Sequence, residues 1–204
     1  MQDTIKHILS RHPLISDQVN GEQVRTILTE LGRVLDQGVD GAIVEFGCYI
    51  GTTSLFIRRL LSELGDDRVF HVYDSFEGLP AKTLADESRA GEQFTVGELA
   101  VSKKQFIREF QKANLRPPII HKSWFKDLTE RAVPEKIAFA FLDGDFYESI
   151  RDSLRLVVPR TQTGSTIVID DYAREALPGA AKAAHEHFST DSIMVVHNLG
   201  VIHL

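Results

Sequence analysis

Residues 43–54 read IVEFGCYIGTTS, and this stretch decides the fold class. A mostly apolar segment comes first, glycines follow at positions 47 and 51, and small hydroxyl residues then lead into apolar residues at helical spacing. This order predicts a buried strand, a tight turn and the first turn of a helix. A strand that enters a helix through a glycine turn is typical of a βαβ unit with a ligand at the helix amino terminus.

The same alternation of short apolar runs and longer helical patterns continues to the C-terminus. It predicts an α/β fold, with a Rossmann-like, doubly wound and mostly parallel seven-stranded sheet. The predicted strands are Ala42–Phe46, Arg68–Tyr73, Pro118–His121, Ile137–Leu142, Ser165–Ile169, Ser192–His197 and Val201–Leu204. Only residues 198–200 separate the last two strands, which is too short for a crossover helix. We therefore expect an antiparallel C-terminal hairpin at the edge of the sheet.

The length of 204 residues and the hydrophobic fraction of 43% predict one domain with one sizeable core. Residues 1–40 are interpreted as an N-terminal helical cap of that domain, because their apolar residues form a helical stripe. Partner binding, including a homodimer through these helices, is the alternative. Residues 41–204 form the main domain. Within it, residues 75–102 break the βα rhythm at the end of a strand and predict a lid or substrate loop.

The composition also excludes several classes of protein. A net charge of −6 and a pI near 5.7 are atypical of a nucleic-acid-binding protein. Cys48 is the only cysteine, so neither an intrachain disulfide nor a zinc site made of thiolates is expected. No stretch matches a signal peptide or a membrane span. The sequence therefore predicts a soluble, cytoplasmic protein with no membrane partner.

The glycine turn excludes the common phosphate-binding motifs. A dinucleotide fingerprint would need glycine at positions 47, 49 and 52, but these positions hold Gly47, Tyr49 and Thr52. The Lys-Ser or Lys-Thr pair of a P-loop is absent as well. A nucleoside ligand without phosphates is favoured. Its candidate contacts in the turn are Gly47, Tyr49, Gly51 and Thr52.

Further residues near strand ends complete a candidate cofactor site. Asp74 and Ser75 follow the second strand, where a carboxylate can accept hydrogen bonds from both ribose hydroxyls. Glu45 could attract the ammonium group of a methionine moiety, and Trp124 and Phe125 could flank an adenine. The alternatives are a turn residue for Asp74 and core packing for the aromatic residues. Together with the exclusions above, these residues favour S-adenosylmethionine.

Two acidic pairs follow the fourth and fifth predicted strands. Asp143 and Asp145 belong to the first pair, and Asp170 and Asp171 form the second. If these strands are neighbours, their carboxyl ends bring Asp143, Asp170 and Asp171 together beside the glycine turn. Clustered carboxylates favour a bound hard cation, with Mg²⁺ as the first choice and Mn²⁺ or Ca²⁺ as alternatives. Each pair taken alone could instead be an ordinary turn or helix cap.

These segments resemble the macrocin O-methyltransferase, or TylF-like, family of Mg²⁺-dependent class I methyltransferases. The matching stretches are Val44–Gly47 with Gly51, Tyr73–Pro80, Leu142–Asp145 with Tyr147 and Ser149, Ile169–Tyr172 and Pro178–Ala180. The resemblance implies transfer of a methyl group from S-adenosylmethionine to a hydroxyl of a small molecule such as a sugar or natural product. It implies a metal held by Asp143, Asp170 and Asp171, and Asp143 is also placed among the cofactor contacts. Asp145, or the ligand Asp143, would take the substrate proton.

Three alternatives remain open from the sequence. His121 is a rival candidate for the base, although a lone histidine after a strand is more often structural. A non-catalytic partner subunit could keep a nucleoside pocket without transferring a methyl group. A Mg²⁺-dependent hydrolase or phosphoryl-transfer enzyme could use the same aspartates, but the sequence lacks a phosphate cradle.

Overall fold

Seven β-strands form one sheet in the computed structural model, which describes residues 1–92 and 94–204 of the chain. In chain order the strands are β1 (Ala42–Phe46), β2 (Phe70–Asp74), β3 (Ile119–Lys122), β4 (Ile137–Leu142), β5 (Thr166–Ile169), β6 (Met194–Val196) and β7 (Leu199–His203). The α-helices are α1 (Gln2–Arg11), α2 (Gly21–Asp36), α3 (Thr52–Leu64), α4 (Lys103–Lys112), α5 (Tyr147–Val157) and α6 (Pro178–Ala184). The predicted alternation of strands and helices is therefore present.

The order of the strands across the sheet is β3-β2-β1-β4-β5-β7-β6. Strands β1 to β5 run parallel to one another, whereas β7 runs antiparallel to both β5 and β6. This confirms the predicted doubly wound, mostly parallel sheet with an antiparallel C-terminal hairpin. The strand order reverses between β1 and β4. In open α/β sheets, ligands bind outside the carboxyl ends of the strands at such a switch point.

The hairpin differs from its predicted boundaries by a small shift. His197 and Asn198 have positive φ angles of 50° and 69° and form a two-residue turn between β6 and β7. Two consecutive residues with positive φ match the twist of the flanking strands. The turn therefore begins one residue earlier than predicted, and Leu199 and Gly200 belong to β7.

Helices cover both faces of the sheet because its central strands are apolar on both sides. Every residue of β4 and β5 is buried. In β4, Phe139 and Phe141 pack into a core shared with α1 to α4, whereas Ala140 and Leu142 pack into a second core shared with α5 and α6. Among the described residues, no helix is long and apolar enough to cross a membrane.

The N-terminal residues form α1 and α2, which pack against the sheet through the predicted apolar stripe. Asn20 and Gln23 cap the start of α2 reciprocally, because each side chain accepts a hydrogen bond from the backbone N–H of the other. The Gln23 amide also donates to Asp170 over 3.3 Å. The start of α2 therefore reaches the carboxyl end of the sheet.

The predicted loop, residues 75–102, connects β2 to α4, and its described residues include the short 3₁₀ turns Leu84–Asp86 and Arg89–Gly91. Its two arms pair with each other through the backbone. The Leu79 N–H donates to the carbonyl of Glu98 over 2.8 Å, and the Gly97 N–H donates to the carbonyl of Leu79 over 2.9 Å. The loop is therefore folded back on itself beside the carboxyl ends of the strands.

Candidate active site

A cleft of about 540 Å³ lies at the carboxyl ends of the central strands, at the switch point between β1 and β4. The arms of loop 75–102 contribute to its wall. Most of the residues predicted to form the site line this cleft: Gly47, Tyr49, Asp74, Ser75, Trp124, Phe125, Asp143, Asp145, Asp170 and Asp171. Three predicted cofactor contacts, Glu45, Gly51 and Thr52, are not among its lining residues.

The glycine turn after β1 lies directly against the turn after β4. Gly47 has a φ angle of 86°, and a Cβ atom at this position would overlap the carbonyl oxygen of Asp143. The Asp143 N–H donates to the carbonyl of Phe46 over 2.7 Å. Glycine is therefore required at position 47 for its conformation and for the close approach of two backbones. The backbones of the candidate cofactor turn and the first acidic turn are therefore in direct contact.

Asp74 ends β2 and fixes the glycine turn. Its Oδ2 atom accepts the backbone N–H groups of Cys48 and Tyr49 over 2.8 and 3.3 Å, and its Oδ1 atom accepts the N–H of Phe76 over 2.6 Å. Each carboxylate oxygen has about two acceptor positions, so Oδ1 retains one of them for a ligand. The backbone therefore fixes the orientation of this carboxylate at the wall of the cleft.

Glu45 lies in a smaller cavity of about 20 Å³, which Thr52 also lines. Its side chain is 1% exposed, and the Ser54 hydroxyl donates to it. Burial raises the pKa of Glu45 to about 8, the hydrogen bond from Ser54 opposes this rise, and the charge of Asp74 adds to it. A cationic ligand group would favour its ionised form. Gly51 lines neither cavity and precedes α3 with a φ angle of 97°.

Trp124 and Phe125 follow β3 and contribute an aromatic part of the cleft wall. Phe125 packs edge to face against Phe46 with 5.3 Å between the ring centroids. The absence of a side chain at Gly144 leaves room for Ser149, and the Phe125 ring packs closely against the same position. Core contacts therefore hold Phe125 in place while it lines the cleft, and a flat apolar surface of this kind suits a purine ring.

Aspartates from the turns after β4 and β5 meet in the cleft. Asp143, Asp145 and Asp171 can each place one carboxylate oxygen within 4.8 Å of the other two. Asp145 and Asp171 have φ angles of 59° and 55°, which are uncommon for residues other than glycine and occur often at functional sites. The sequence predicted Asp143, Asp170 and Asp171 as the cluster. Asp145 joins the compact group, and Asp170 lies beside it in contact with Gln23.

The carboxyl groups of this cluster disfavour one another's ionisation. Removal from water raises the pKa of Asp143 well above its usual range, and Asp170 and Asp145 raise it further. Burial and the charge of Asp171 have the same effect on the pKa of Asp145, and they raise the pKa of Asp170 to about 7. Burial also raises the pKa of Asp171, although the Arg174 guanidinium donates to it over 3.0 Å and opposes the rise. A bound cation would offset this repulsion and favour the ionised forms of the carboxyl groups.

Gln18, Gln23 and Arg174 were not predicted from the sequence as site residues. Gln18 lines both cavities, and Arg174 lines the cleft while its guanidinium lies 5.3 Å from the ring centroid of Phe94. The spacing of Arg174 three residues after Asp171 was a signal that could have been used. His121, the alternative base, bonds to a neighbouring histidine over 3.0 Å and is not a lining residue of the cleft.

Known proteins similar in sequence are O-methyltransferases. The chain is 35% identical over 176 residues to the 8-demethyl-8-(2,3-dimethoxy-alpha-L-rhamnosyl)-tetracenomycin-C 4'-O-methyltransferase of Streptomyces olivaceus. The aligned region covers 82% of this chain and 67% of that relative. It is 31% identical over 179 residues to the mycinamicin III 3''-O-methyltransferase of Micromonospora griseorubida, with 82% and 69% coverage.

The solved structure of the O-methyltransferase NovP has the same fold. It matches with a TM-score of 0.78 at 25% sequence identity, over 89% of this chain and 79% of that chain. The model of the family described as macrocin-O-methyltransferase (TylF) matches residues 12–201, which include every strand of the sheet except the last residues of β7. With its Rossmann-like sheet and its acidic cleft, the chain therefore belongs to the macrocin-O-methyltransferase (TylF) family and is an O-methyltransferase.

Proposed function

We propose that this O-methyltransferase moves the methyl group of S-adenosylmethionine to a hydroxyl group of a sugar or another natural product, with the help of a divalent cation. The names of the two relatives, which specify a rhamnosyl tetracenomycin and mycinamicin III, support this acceptor class. The group of three carboxylates within 4.8 Å of one another carries the metal part of the proposal.

The cofactor half of the cleft suits S-adenosylmethionine. The glycine turn has no lysine that could bind phosphates, and Asp74 offers an acceptor position for a ribose hydroxyl. Trp124 and Phe125 offer an aromatic surface for the adenine ring. Glu45, which lines the smaller cavity together with residues of the glycine turn, is our candidate for the partner of the methionine ammonium group. These four residues, with Gly47, Tyr49, Gly51, Thr52, Ser75 and Asp143, form the proposed cofactor site.

The acidic half of the cleft fits a hard cation. Its donors are carboxylate oxygens, which favour Mg²⁺, Mn²⁺ or Ca²⁺ over zinc. The mutually raised pKa values of these carboxyl groups indicate that their charge is not balanced within the protein. Asp143, Asp145, Asp170 and Asp171 would supply the ligands. A divalent cation in such a site lowers the pKa of a bound hydroxyl group and orients it for attack.

The chain's own residues would bind the acceptor and take its proton. Asp145 is our candidate for the base, with Asp143 as the alternative, because both carboxylates line the cleft at the proposed cation site. Arg174 holds Asp171 in place through its ion pair. The loop residues Leu79 and Leu99 line the cleft and would exclude water from the reacting groups.

Different segments of the chain have different proposed roles. We propose that residues 1–40 form a helical cap, that residues 41–204 form the catalytic domain, and that residues 75–102 form a lid over the acceptor. The proposed acceptor is a small molecule rather than a nucleic acid. A homodimer through α1 and α2 and a cytoplasmic location stay predictions.

The test is an assay of S-adenosylhomocysteine formation from S-adenosylmethionine with purified protein. Mycinamicin III and the demethylated rhamnosyl tetracenomycin serve as acceptors, because they represent the glycosides named by the relatives. We expect methyl transfer in the presence of Mg²⁺, loss of transfer in excess EDTA, and recovery when Mg²⁺ is restored. Undiminished activity in EDTA would contradict the metal part. Calorimetric binding of S-adenosylhomocysteine without transfer to any glycoside would contradict the acceptor class.

A further inference from the structure

Asp86 is a buried carboxylate that lies outside the cleft. It ends the 3₁₀ turn Leu84–Asp86 in the middle of loop 75–102, and its side chain is only 1% exposed. A buried carboxylate is costly unless hydrogen-bond donors surround it. The position of Asp86 in a surface loop therefore needs an explanation.

Three donors satisfy the Asp86 carboxylate. Its Oδ1 atom accepts the backbone N–H of Tyr147 over 2.6 Å. Its Oδ2 atom accepts the backbone N–H and the hydroxyl of Thr83 over 2.8 and 2.7 Å. One oxygen therefore binds a distant helix, while the other binds the loop itself. The side chain joins two segments that are 61 residues apart.

The contact with Tyr147 lies at the start of α5. Phe146, at the N-cap position, makes no side-chain hydrogen bond to the first turn of this helix. Asp86 supplies both the missing acceptor and a negative charge at the positive end of the helix dipole. The first turn of α5 is therefore capped by a residue of the loop.

α6 is shaped to allow this contact. A Cβ atom on Gly179 would overlap the Asp86 Oδ1 atom and would lie 2.6 Å from the backbone nitrogen of Tyr147. The Lys182 ammonium, one turn later, donates to the carbonyl of Ala85 over 2.6 Å. The middle of the loop is thus docked against α5 and α6 at the same point.

The same contact lies next to the acidic cluster. Asp145 is two residues before Tyr147, and the Phe146 N–H donates to the carbonyl of Gly144 over 2.6 Å. The turn that carries Asp143 and Asp145 therefore leads directly into the first residue of α5, whose backbone N–H binds Asp86.

We propose that Asp86 is a positioning residue for the carboxylate cluster. It fixes the start of α5, and thereby the turn carrying Asp143 and Asp145, while it anchors loop 75–102 beside the cleft. This inference rests on the proposed function, because it assumes that the cluster binds a divalent cation. Loss of the Asp86 carboxylate should weaken cation binding without weakening nucleoside binding, since the glycine turn and Asp74 are held by other contacts.

The experiment is a calorimetric titration of Mn²⁺ into the full-length wild-type protein and into Asp86→Ala. We expect about a tenfold loss of Mn²⁺ affinity in the variant, as is typical when a group that orients metal ligands is removed. The affinity for S-adenosylhomocysteine, measured on the same samples, should stay unchanged. A general loss of structure would lower the affinity for both Mn²⁺ and S-adenosylhomocysteine, and this result would overturn the proposal.

Ser88→Ala is the matched control. Its hydroxyl anchors the same loop by donating to the carbonyl of Glu175 over 2.8 Å, and its hydrogen bonds to described residues do not involve α5. We expect wild-type Mn²⁺ affinity in this variant. An equal loss of affinity in Ser88→Ala would show that loop docking in general is responsible, and it would overturn the specific role of Asp86.

The outcomes also separate this inference from the proposed function. If the wild-type protein binds no Mn²⁺, the metal part of the proposed function fails. If the wild-type protein and Asp86→Ala bind Mn²⁺ equally, only the role of Asp86 is wrong.

Should Asp86→Ala fail to fold, Asp86→Asn replaces it, because an amide cannot accept hydrogen bonds on both sides. A loss of about threefold is then expected from the weaker hydrogen bonding, and wild-type affinity contradicts the proposal.

Discussion

Asp86 and Asp143 are carboxylates in adjoining parts of the molecule, yet their surroundings are opposite. Asp86 accepts three hydrogen bonds from N–H and O–H donors. Asp143 faces other aspartates, and burial together with those neighbours raises its pKa. A carboxylate of the first kind stabilises the fold, whereas one of the second kind destabilises it until a cation binds. The difference separates a structural acidic residue from a candidate functional one.

The largest effect is expected for Asp143→Asn. Removal of this proposed ligand should lower kcat/KM for methyl transfer by about a thousandfold, because a catalytic cation supplies several kcal/mol of stabilisation. The melting temperature in EDTA should stay the same or rise, since one repelling charge is gone. Steady-state kinetics and thermal unfolding measure the two effects.

Asp127→Asn provides a matched control for Asp143→Asn, because Asp127 is exposed and does not line the cleft. It should leave both kcat/KM and the melting temperature unchanged. A melting temperature for Asp143→Asn several degrees below that of the wild-type protein would show that Asp143 stabilises the fold, as Asp86 does. The proposed distinction between the two carboxylates would then be wrong.

Asp74 is intermediate between the two, because backbone donors fix it while it lines the cleft. Asp74→Ala should weaken binding of S-adenosylhomocysteine by about a hundredfold, the size expected for loss of hydrogen bonds to a charged group. Mn²⁺ affinity should be retained, and Asp74→Asn should lose less. Calorimetry with each ligand measures both affinities. A parallel loss of Mn²⁺ affinity would show that the two halves of the cleft cannot be separated.

The last prediction concerns the pH dependence of stability. The folded pKa values of Asp170 and Glu45, about 7 and about 8, lie above the usual carboxyl range near 4. Between these limits the folded state binds more protons than the unfolded state, so stability falls as pH rises. In EDTA we expect the free energy of unfolding by urea to drop between pH 5.5 and pH 8, as both carboxyl groups lose their protons in the folded state. Mg²⁺ should reverse the drop at pH 8, and Asp170→Asn should reduce it.

A free energy of unfolding in EDTA that increases over this pH range would contradict the uncompensated charge of the cluster. A smaller drop in Asp170→Asn than in the wild-type protein would assign the pH dependence to the cluster.

The central strands could be predicted closely from the sequence. The bounds of β1 and β4 match their predictions, because an apolar run buried on both faces leaves no other arrangement. The hairpin turn was placed one residue late. Its first residue is His197, whose positive φ angle has no signal in the residue type, whereas Asn198 and Gly200 are ordinary turn residues.

The position of the cleft was also predictable, since parallel strands bring their carboxyl ends together. The membership of the aspartate cluster was less predictable. It depends on the left-handed backbone at Asp145 and Asp171, which turns their side chains in directions that sequence spacing does not reveal. Asp86 was hidden within a polar loop, because its partner Tyr147 lies 61 residues away and no local pattern joins them.

Trp124, described above as part of the cleft wall, is the only tryptophan in the chain. Indole fluorescence from this protein therefore originates at one place, beside the proposed adenine site. A purine ring that stacks on this indole alters its emission, so the protein carries its own optical reporter. In a rapid-mixing instrument, this signal would reveal the order in which the methyl donor, the cation and the acceptor arrive, with no label attached.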